Sequence, residues 1–200
     1  DGKNREVLTP DGWGAQFSPD GKWVAYQSYE STENSNYPVV TIIDIRTKQK
    51  RTVLDTAQAR RYSQIYWNME WSPDSRQICF KARLRSDPNR YESAITSIDD
   101  PVKGFRVLTT DTTDNDFSWH PDGSRILFGK TSPKHGGMRL FVCDLKTGAI
   151  DLLPSQPLDM NINSGIWSPD GKQIAFVSRP EPKPVPWKPA AASGVQNENR

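Results

Sequence analysis

The stretch FSPDGKWVAY, residues 17–26, returns three times later in the chain with small changes. The later copies are WSPDSRQICF, WHPDGSRILF and WSPDGKQIAF, which begin at Trp71, Trp119 and Trp167. Their Pro-Asp pairs follow one another at spacings of 54, 48 and 48 residues. Recurrence near 50 residues is typical of a protein built from successive copies of one small structural unit.

Each copy predicts a tight turn between two antiparallel strands. Proline presets the backbone of the first central position, aspartate tolerates the second, and glycine accepts the left-handed position that closes the turn. The apolar and aromatic residues after each turn alternate with a period of two, which indicates a strand. The predicted turn residues are Pro19, Asp20, Gly21, Pro73, Asp74, Pro121, Asp122, Gly123, Pro169, Asp170 and Gly171.

Two copies depart from this turn sequence. Ser75 replaces glycine in the second copy, which costs on the order of 1 kcal/mol if the position is left-handed. His120 replaces serine in the third copy, and we interpret it as a turn substitution, not as a catalytic or metal-binding residue. The aromatic residues Trp71, Trp119 and Trp167 hold equivalent positions on the first strand and are predicted to be buried.

Downstream of each turn, the sequence predicts a third and a fourth strand, as in VVTIIDIRTKQKRTVLD of the first copy. Four short antiparallel strands in about 50 residues are typical of a β-propeller blade. A blade can bury its faces only against neighbouring blades, which explains the repetition. The predicted fold class is therefore all-β, a β-propeller of four-stranded antiparallel blades, with about three and a half blades visible.

At these turn and strand residues the chain resembles the TolB-like family of β-propellers with WD40-like Pro-Asp repeats, from about Arg5 to Ser178. Similar blades occur in the Tol translocation protein, in propeller domains of prolyl oligopeptidase and dipeptidyl peptidase enzymes, and in oligogalacturonate lyases. The resemblance implies membership of a six-bladed or similar ring and a periplasmic or secreted location. It also implies a protein or peptide partner.

The repeat divides the chain into a propeller, residues 1–178, and a Pro-rich extended tail, residues 179–200. Within the propeller we predict an outer strand of a preceding or closing blade in 1–12, whole blades in 13–58, 59–111 and 112–158, and half a blade in 159–178. Three arrangements fit this count. The chain is a segment of a larger propeller, or its REVLT strand completes the last blade of a small ring, or two copies join.

Composition excludes several classes of partner. The 26 Lys and Arg residues against 24 Asp and Glu residues give a formal charge of +2, too small to indicate nucleic-acid binding. No apolar run has the length of about 18 to 20 residues that a membrane helix needs, so we expect no membrane insertion. Cys79 and Cys143 lie in apolar strand patterns and are predicted to be buried free thiols.

We expect no enzyme activity, no cofactor and no metal site in this chain, so that any catalytic domain would lie outside it. The sequence has no G-x-S-x-G elbow, no H-E-x-x-H pair, no Cys-x-x-Cys and no glycine-rich phosphate loop. The acidic run DTTDND, residues 111–116, lacks the glycine and glutamate of a calcium loop. We interpret it as a connection between blades.

The candidate ligand site lies in the loops opposite the Pro-Asp turns, where propellers and other scaffolds carry binding residues. Guanidinium groups there could clamp a carboxylate, although a solvated rim is the alternative. The candidate residues are Arg60, Arg61, Tyr62, Arg83, Arg85, Lys134 and His135.

The expected function is a non-catalytic scaffold for a protein or peptide partner. One alternative is a propeller that gates substrate for a peptidase; another is carbohydrate binding through the aromatic candidates Trp13, Tyr66 and Trp187. The Pro-rich tail could be a linker or a ligand for an aromatic groove.

Overall fold

The computed structural model describes residues 3, 5–33, 35–110, 116–132 and 134–180. The predicted tail beyond residue 180, with Trp187, lies outside the described residues, as do Asp111 and Asp114 of the acidic run. No helix in the described part is both long enough and apolar enough to cross a bilayer.

The first two repeats form antiparallel blades, as predicted. Blade 1 comprises β1 (Trp13–Phe17), β2 (Trp23–Thr32), β3 (Ser35–Asp44) and β4 (Lys50–Thr52), in that spatial order. The one-turn helix α1 (Thr56–Arg60) leads to blade 2. Blade 2 comprises β5 (Tyr62–Ile65) and β6 (Glu70–Trp71), which both pair with β7 (Gln77–Leu84), then β8 (Tyr91–Ser97), the short helix α2 (Pro101–Gly104) and β9 (Arg106–Thr110).

The third repeat forms a whole blade, and the fourth contributes a strand pair. Blade 3 comprises β10 (Phe117–Trp119), β11 (Arg125–Thr131), β12 (Met138–Asp144) and β13 (Ile150–Leu152). The fourth repeat gives β14 (Met160–Trp167) paired with β15 (Ile174–Pro180). The last strand ends two residues beyond the predicted boundary at residue 178. The all-β propeller architecture is therefore confirmed.

Alternation along each strand places the core between the blades. Phe80 on β7 packs against blade 1, whereas its neighbour Cys79 packs with Phe128 of blade 3. Leu127, next to Phe128 on β11, packs in turn against the β14–β15 pair. Successive side chains of a strand point to opposite faces, so each blade is buried on one face by each neighbour.

The turns have the predicted backbone conformation. Gly21, Gly123 and Gly171 have φ values of 70°, 75° and 69°, and Ser75 has a φ of 61°. The strain at Ser75 is offset by a contact between blades, because the backbone N–H of Asp20 donates to the Ser75 hydroxyl at 3.0 Å.

The predicted burial of the tryptophans and thiols is confirmed for the first two tryptophans and both thiols. Trp71 and Trp119 are buried, and each indole N–H donates to a backbone carbonyl of the preceding blade, that of Gln16 or Glu70. Trp167 is half-buried. Both cysteines are buried and free.

The N-terminal segment differs from its prediction. Residues 5–12 form no strand in this structure, so REVLT does not complete the last blade. The segment is held by side chains: Lys48 pairs with Glu6 at 2.9 Å, and Leu8 packs on the apolar cluster of Tyr26 and Ile43. A strand forms only where its backbone can pair with that of a neighbouring strand. Residues 5–12 contact blade 1 through side chains and do not pair with any of its strands.

Candidate functional site

Two opposite faces of the blades carry different loops. We call the face with the Pro-Asp turns the turn face. The loop face lies at the other strand ends and carries the β2–β3, β7–β8 and β11–β12 hairpins together with the connections between blades. All seven candidate residues come from segments at or near the loop face, but the structure gives them different partners.

Arg61 and Tyr62 both donate hydrogen bonds to the buried carboxylate of Glu92. The Arg61 Nε and Nη2 atoms donate to Glu92 at 2.9 and 2.5 Å, and the Tyr62 hydroxyl donates to the same carboxylate at 3.2 Å. Only 3% of the Glu92 side chain is exposed. Burial, reinforced by the Glu92 charge, raises the pKa of Tyr62 well above its usual value. These two residues therefore hold the first strand of blade 2 to its third strand.

Arg60 and Arg85 lie together at the edge of blade 1. Arg85 donates to the backbone carbonyls of Arg60, Asn36 and Tyr62 at 3.0 to 3.1 Å, and so ties the β2–β3 hairpin to blade 2. The Arg60 guanidinium lies 5.5 Å from the centre of the Tyr37 ring. Both arginines line one cavity with residues 32, 33 and 35. The structure thus brings together these two of the seven candidate residues.

The remaining candidates lie elsewhere. Arg83 donates to the Tyr66 hydroxyl at 2.9 Å and stacks over Tyr91 at 5.5 Å. Lys134 and His135 belong to the β11–β12 hairpin of blade 3, where the His135 carbonyl accepts from buried Arg139 at 2.9 Å. Among the described contacts, none joins this hairpin to the two arginines at the edge of blade 1.

A second set of residues, missed at the sequence level, lines the inner edge of the blades. Gly14, Asn68, Asp116 and Ser164 each stand six residues before the aspartate of a Pro-Asp turn. The Asn68 amide N–H donates to Asp116 Oδ1 at 3.0 Å, and the Ser164 hydroxyl donates to Asp116 Oδ2 at 2.6 Å. Asp116 therefore bridges blade 2 and the last strand pair. We call these four residues the inner belt.

The inner belt lines a cavity of about 330 Å³, the inner cavity, whose walls are residues 14–16, 67–70, 116–117, 164 and 166. Its second acidic residue is Glu70 on β6. Burial, together with the nearby charge of Asp116, raises the pKa of Glu70 to about 7. The Glu70 carboxylate accepts no hydrogen bond from the described residues, and neither lysine nor arginine is among those that line this cavity. The inner cavity is thus negatively charged.

Three exposed aromatic side chains lie at or next to this cavity, and we call them the aromatic rim: Trp67 lines the cavity, Trp13 precedes the lining residue Gly14, and Tyr29 contacts Trp13. Trp13 and Trp67 hold equivalent repeat positions and are each 55% exposed, and Tyr29 is 45% exposed. Trp13 and Tyr29 meet edge to face with ring centres 6.0 Å apart. Gly14 has a φ of 65°, and a Cβ atom there would lie 2.4 Å from the Trp67 Cβ. Glycine therefore lets β1 lie directly against the connection between β5 and β6 that carries Trp67.

The described residues show no group of three or more His, Cys, Asp or Glu side chains placed to hold a metal ion. His120 has a structural position: its Nδ1 lies 2.7 Å from Asp122 Oδ1, and its Nε2 lies 3.2 Å from the Gly171 carbonyl. It joins the turns of neighbouring repeats, which agrees with its interpretation as a turn residue. The described residues therefore offer two means of recognising a ligand: the negative charge of the inner cavity and the exposed aromatic side chains of the rim.

Comparison with solved structures supports this architecture. TolB from Acinetobacter baumannii superposes with a TM-score of 0.66 at 21% identity, over 92% of this chain and 42% of that one. An oligogalacturonate lyase from Vibrio parahaemolyticus gives 0.63 at 16% identity, over 86% and 49%. Dipeptidyl peptidase 4 from Porphyromonas gingivalis gives 0.57 at 15% identity, over 88% and 30%. At these identities the likeness shows the fold alone.

The chain spans less than half the length of each of these three proteins. No curated protein is similar enough in sequence to count as a match. The family model described as the TolB beta propeller domain, however, matches residues 1–188. Together with the repeated Pro-Asp turns and the observed blades, this match shows that the chain belongs to the TolB β-propeller domain family.

Proposed function

We propose that the chain is a non-catalytic scaffold that binds a protein or peptide partner on its loop face. The observation that carries this proposal is the aromatic rim: Trp13, Tyr29 and Trp67 are each about half exposed, and Trp67 lines the inner cavity. Tryptophan and tyrosine are enriched among the residues that contribute most to protein interfaces. Exposed aromatic surface gains free energy when a partner covers it. The family membership supports a periplasmic or secreted setting.

The arginines at the edge of blade 1 supply a second contact in this proposal. Arg60 makes no ion pair among the described residues, and its guanidinium lies over the Tyr37 ring beside a cavity. A partner carboxylate could therefore pair with it through two parallel hydrogen bonds. If replacement of Arg60 by alanine leaves the affinity for acidic peptides unchanged, this second contact is removed from the proposal.

The test is selection of a displayed library of random peptides on the immobilised chain, followed by calorimetric titration of the enriched peptides. The chain offers a matched pair of variants on one strand: Trp13→Ala on the loop face and Phe17→Ala, 70% exposed, at the turn face. We expect Trp13→Ala and Trp67→Ala to weaken binding by about 30-fold, typical of an interface hot spot. Phe17→Ala should change it less than about twofold.

Two results would overturn the proposal. One is the failure of any peptide to be enriched, and the other is equal sensitivity of binding to the variants on both faces. An oligosaccharide array provides the comparison for the carbohydrate alternative. Sugar binding that is lost in the rim variants, without peptide binding, would replace the peptide partner with a glycan.

A further inference from the structure

The inner cavity contains a charge that nothing in the described structure neutralises. Glu70 accepts no hydrogen bond and forms no ion pair among the described residues, although burial raises its pKa. Glu70 is half-buried and lines the inner cavity, so its unpaired carboxylate is available to a group that enters this cavity. A group that is unfavourable for stability and lies in a cavity is a candidate for ligand recognition.

Asp116, the second carboxylate of the inner cavity, is held in a fixed orientation. Asp116 accepts hydrogen bonds from Asn68 at 3.0 Å and from Ser164 at 2.6 Å, and it lines the inner cavity beside Glu70. The two donors come from different repeats and fix the orientation of Asp116, and its charge acts directly on Glu70.

The aromatic rim identifies the type of cation. Calcium takes about six to eight oxygen ligands, and the described residues show no acidic group of that size. A lysine or arginine side chain, by contrast, combines a charged head with an apolar stem that packs on aromatic surface, and its cation is attracted to indole faces. Trp67 is 55% exposed and also lines the inner cavity, so its indole lies close to the two carboxylates.

We propose that the inner cavity receives the cationic side chain of a lysine or arginine from the bound polypeptide. The cationic head lies between Glu70 and Asp116, and the stem lies against Trp67. This inference rests on the proposed peptide-binding function and names the chemistry that the partner must present. Charge complementarity selects this occupant, because the described residues that line the cavity include two carboxylates and neither lysine nor arginine.

The test uses small probes, so that it does not depend on finding the partner. N-acetyl-arginine amide and its neutral isostere N-acetyl-citrulline amide are titrated into the 15N-labelled chain. The indole N–H of Trp67 and the side-chain amide of Asn68 are followed by NMR. We expect the arginine probe, but not the citrulline probe, to shift both signals, with at least about tenfold weaker binding in Glu70→Gln. Asp151→Asn, which removes an exposed carboxylate on the outer strand β13, is the matched control and should bind as the wild type does.

Equal shifts with citrulline, or unchanged arginine binding in Glu70→Gln, would overturn the inference. The two proposals fail separately. Enriched peptides that depend on Trp13 but contain no required basic residue would leave the scaffold function in place and remove the cation site. Arginine binding in the cavity without any enriched peptide would support the cation site and remove the peptide scaffold.

Discussion

Replacement of Glu70 by glutamine is expected to stabilise the protein at high pH. Burial and the charge of Asp116 raise the pKa of Glu70 from 4.5 to about 7. Cys79, which pairs with Glu70 across the β6–β7 ladder, is buried and uncharged. The folded state therefore holds the Glu70 proton more tightly than the unfolded chain does. Between pH 4.5 and about 7, the wild-type free energy of unfolding therefore decreases as the pH rises, because the unfolded chain releases the Glu70 proton first.

The rise in pKa corresponds to about 3 kcal/mol against the ionised form at pH 8. Glutamine has nearly the same shape and no charge, so Glu70→Gln should gain free energy of unfolding of that order at pH 8 and almost none near pH 4.5. Urea unfolding at pH 8, 6.5 and 5 measures the difference from wild type at each pH. Glu33→Gln, exposed on a loop, should stay within about 0.5 kcal/mol throughout. A neutral or destabilising effect of Glu70→Gln at pH 8 would refute the reasoning.

Three further predictions concern the framework, and urea unfolding measures each. Lys48 has a φ of 63° in a turn whose counterpart in blade 3 is a glycine. Lys48→Gly relieves this strain and loses an exposed ion pair with Glu6 that is worth little, so it should stabilise by about 0.5 kcal/mol. Ser75→Gly removes a hydrogen bond between blades and should gain less; equal gains would contradict this account. Arg61→Ala leaves the buried Glu92 charge without its ion pair and with the Tyr62 hydroxyl as its remaining described donor, so it should destabilise by about 2 kcal/mol, against little change for the exposed Arg60→Ala. Arg139 is fully buried and donates to four backbone carbonyls, so Arg139→Met should destabilise by about 3 kcal/mol; a stable variant would show that those carbonyls find other donors.

The architecture could be predicted from the sequence because its determinants are local and repeated. Each turn is set by four adjacent residues, and the left-handed backbone at Ser75 follows from the glycine that stands there in the other copies. The buried tryptophans follow from equivalent positions on the first strand. The N-terminal segment was mispredicted because REVLT has a strand-like pattern, whereas its contacts with Lys48 and with the apolar cluster of blade 1 depend on the folded arrangement.

The candidate site was predictable only in part. The loop arginines are visible in the sequence, but Glu92 stands 31 residues from Arg61 inside an ordinary strand, so their pairing could not be read from a local pattern. The acidity of the inner cavity arises from Glu70 and Asp116, which are brought together by the packing of two blades. The one sequence signal for Asp116 is its distance of six residues from the turn aspartate, a position where residue type is not repeated.

That lack of repetition has a physical reason and bears on where specificity lies. The first-strand tryptophans Trp71 and Trp119 recur because their indoles pack between blades and donate to a carbonyl of the preceding blade. The inner-belt positions line the inner cavity and hold glycine, asparagine, aspartate and serine in turn. Each repeat meets a different neighbour there: Gly14 is required by its close contact with Trp67, whereas the other three inner-belt residues form one hydrogen-bonded set. The repeat thus keeps the turn residues and the first-strand indoles and varies the residues that line the cavity, so Asp116 can carry a charge there while the blades still pack together.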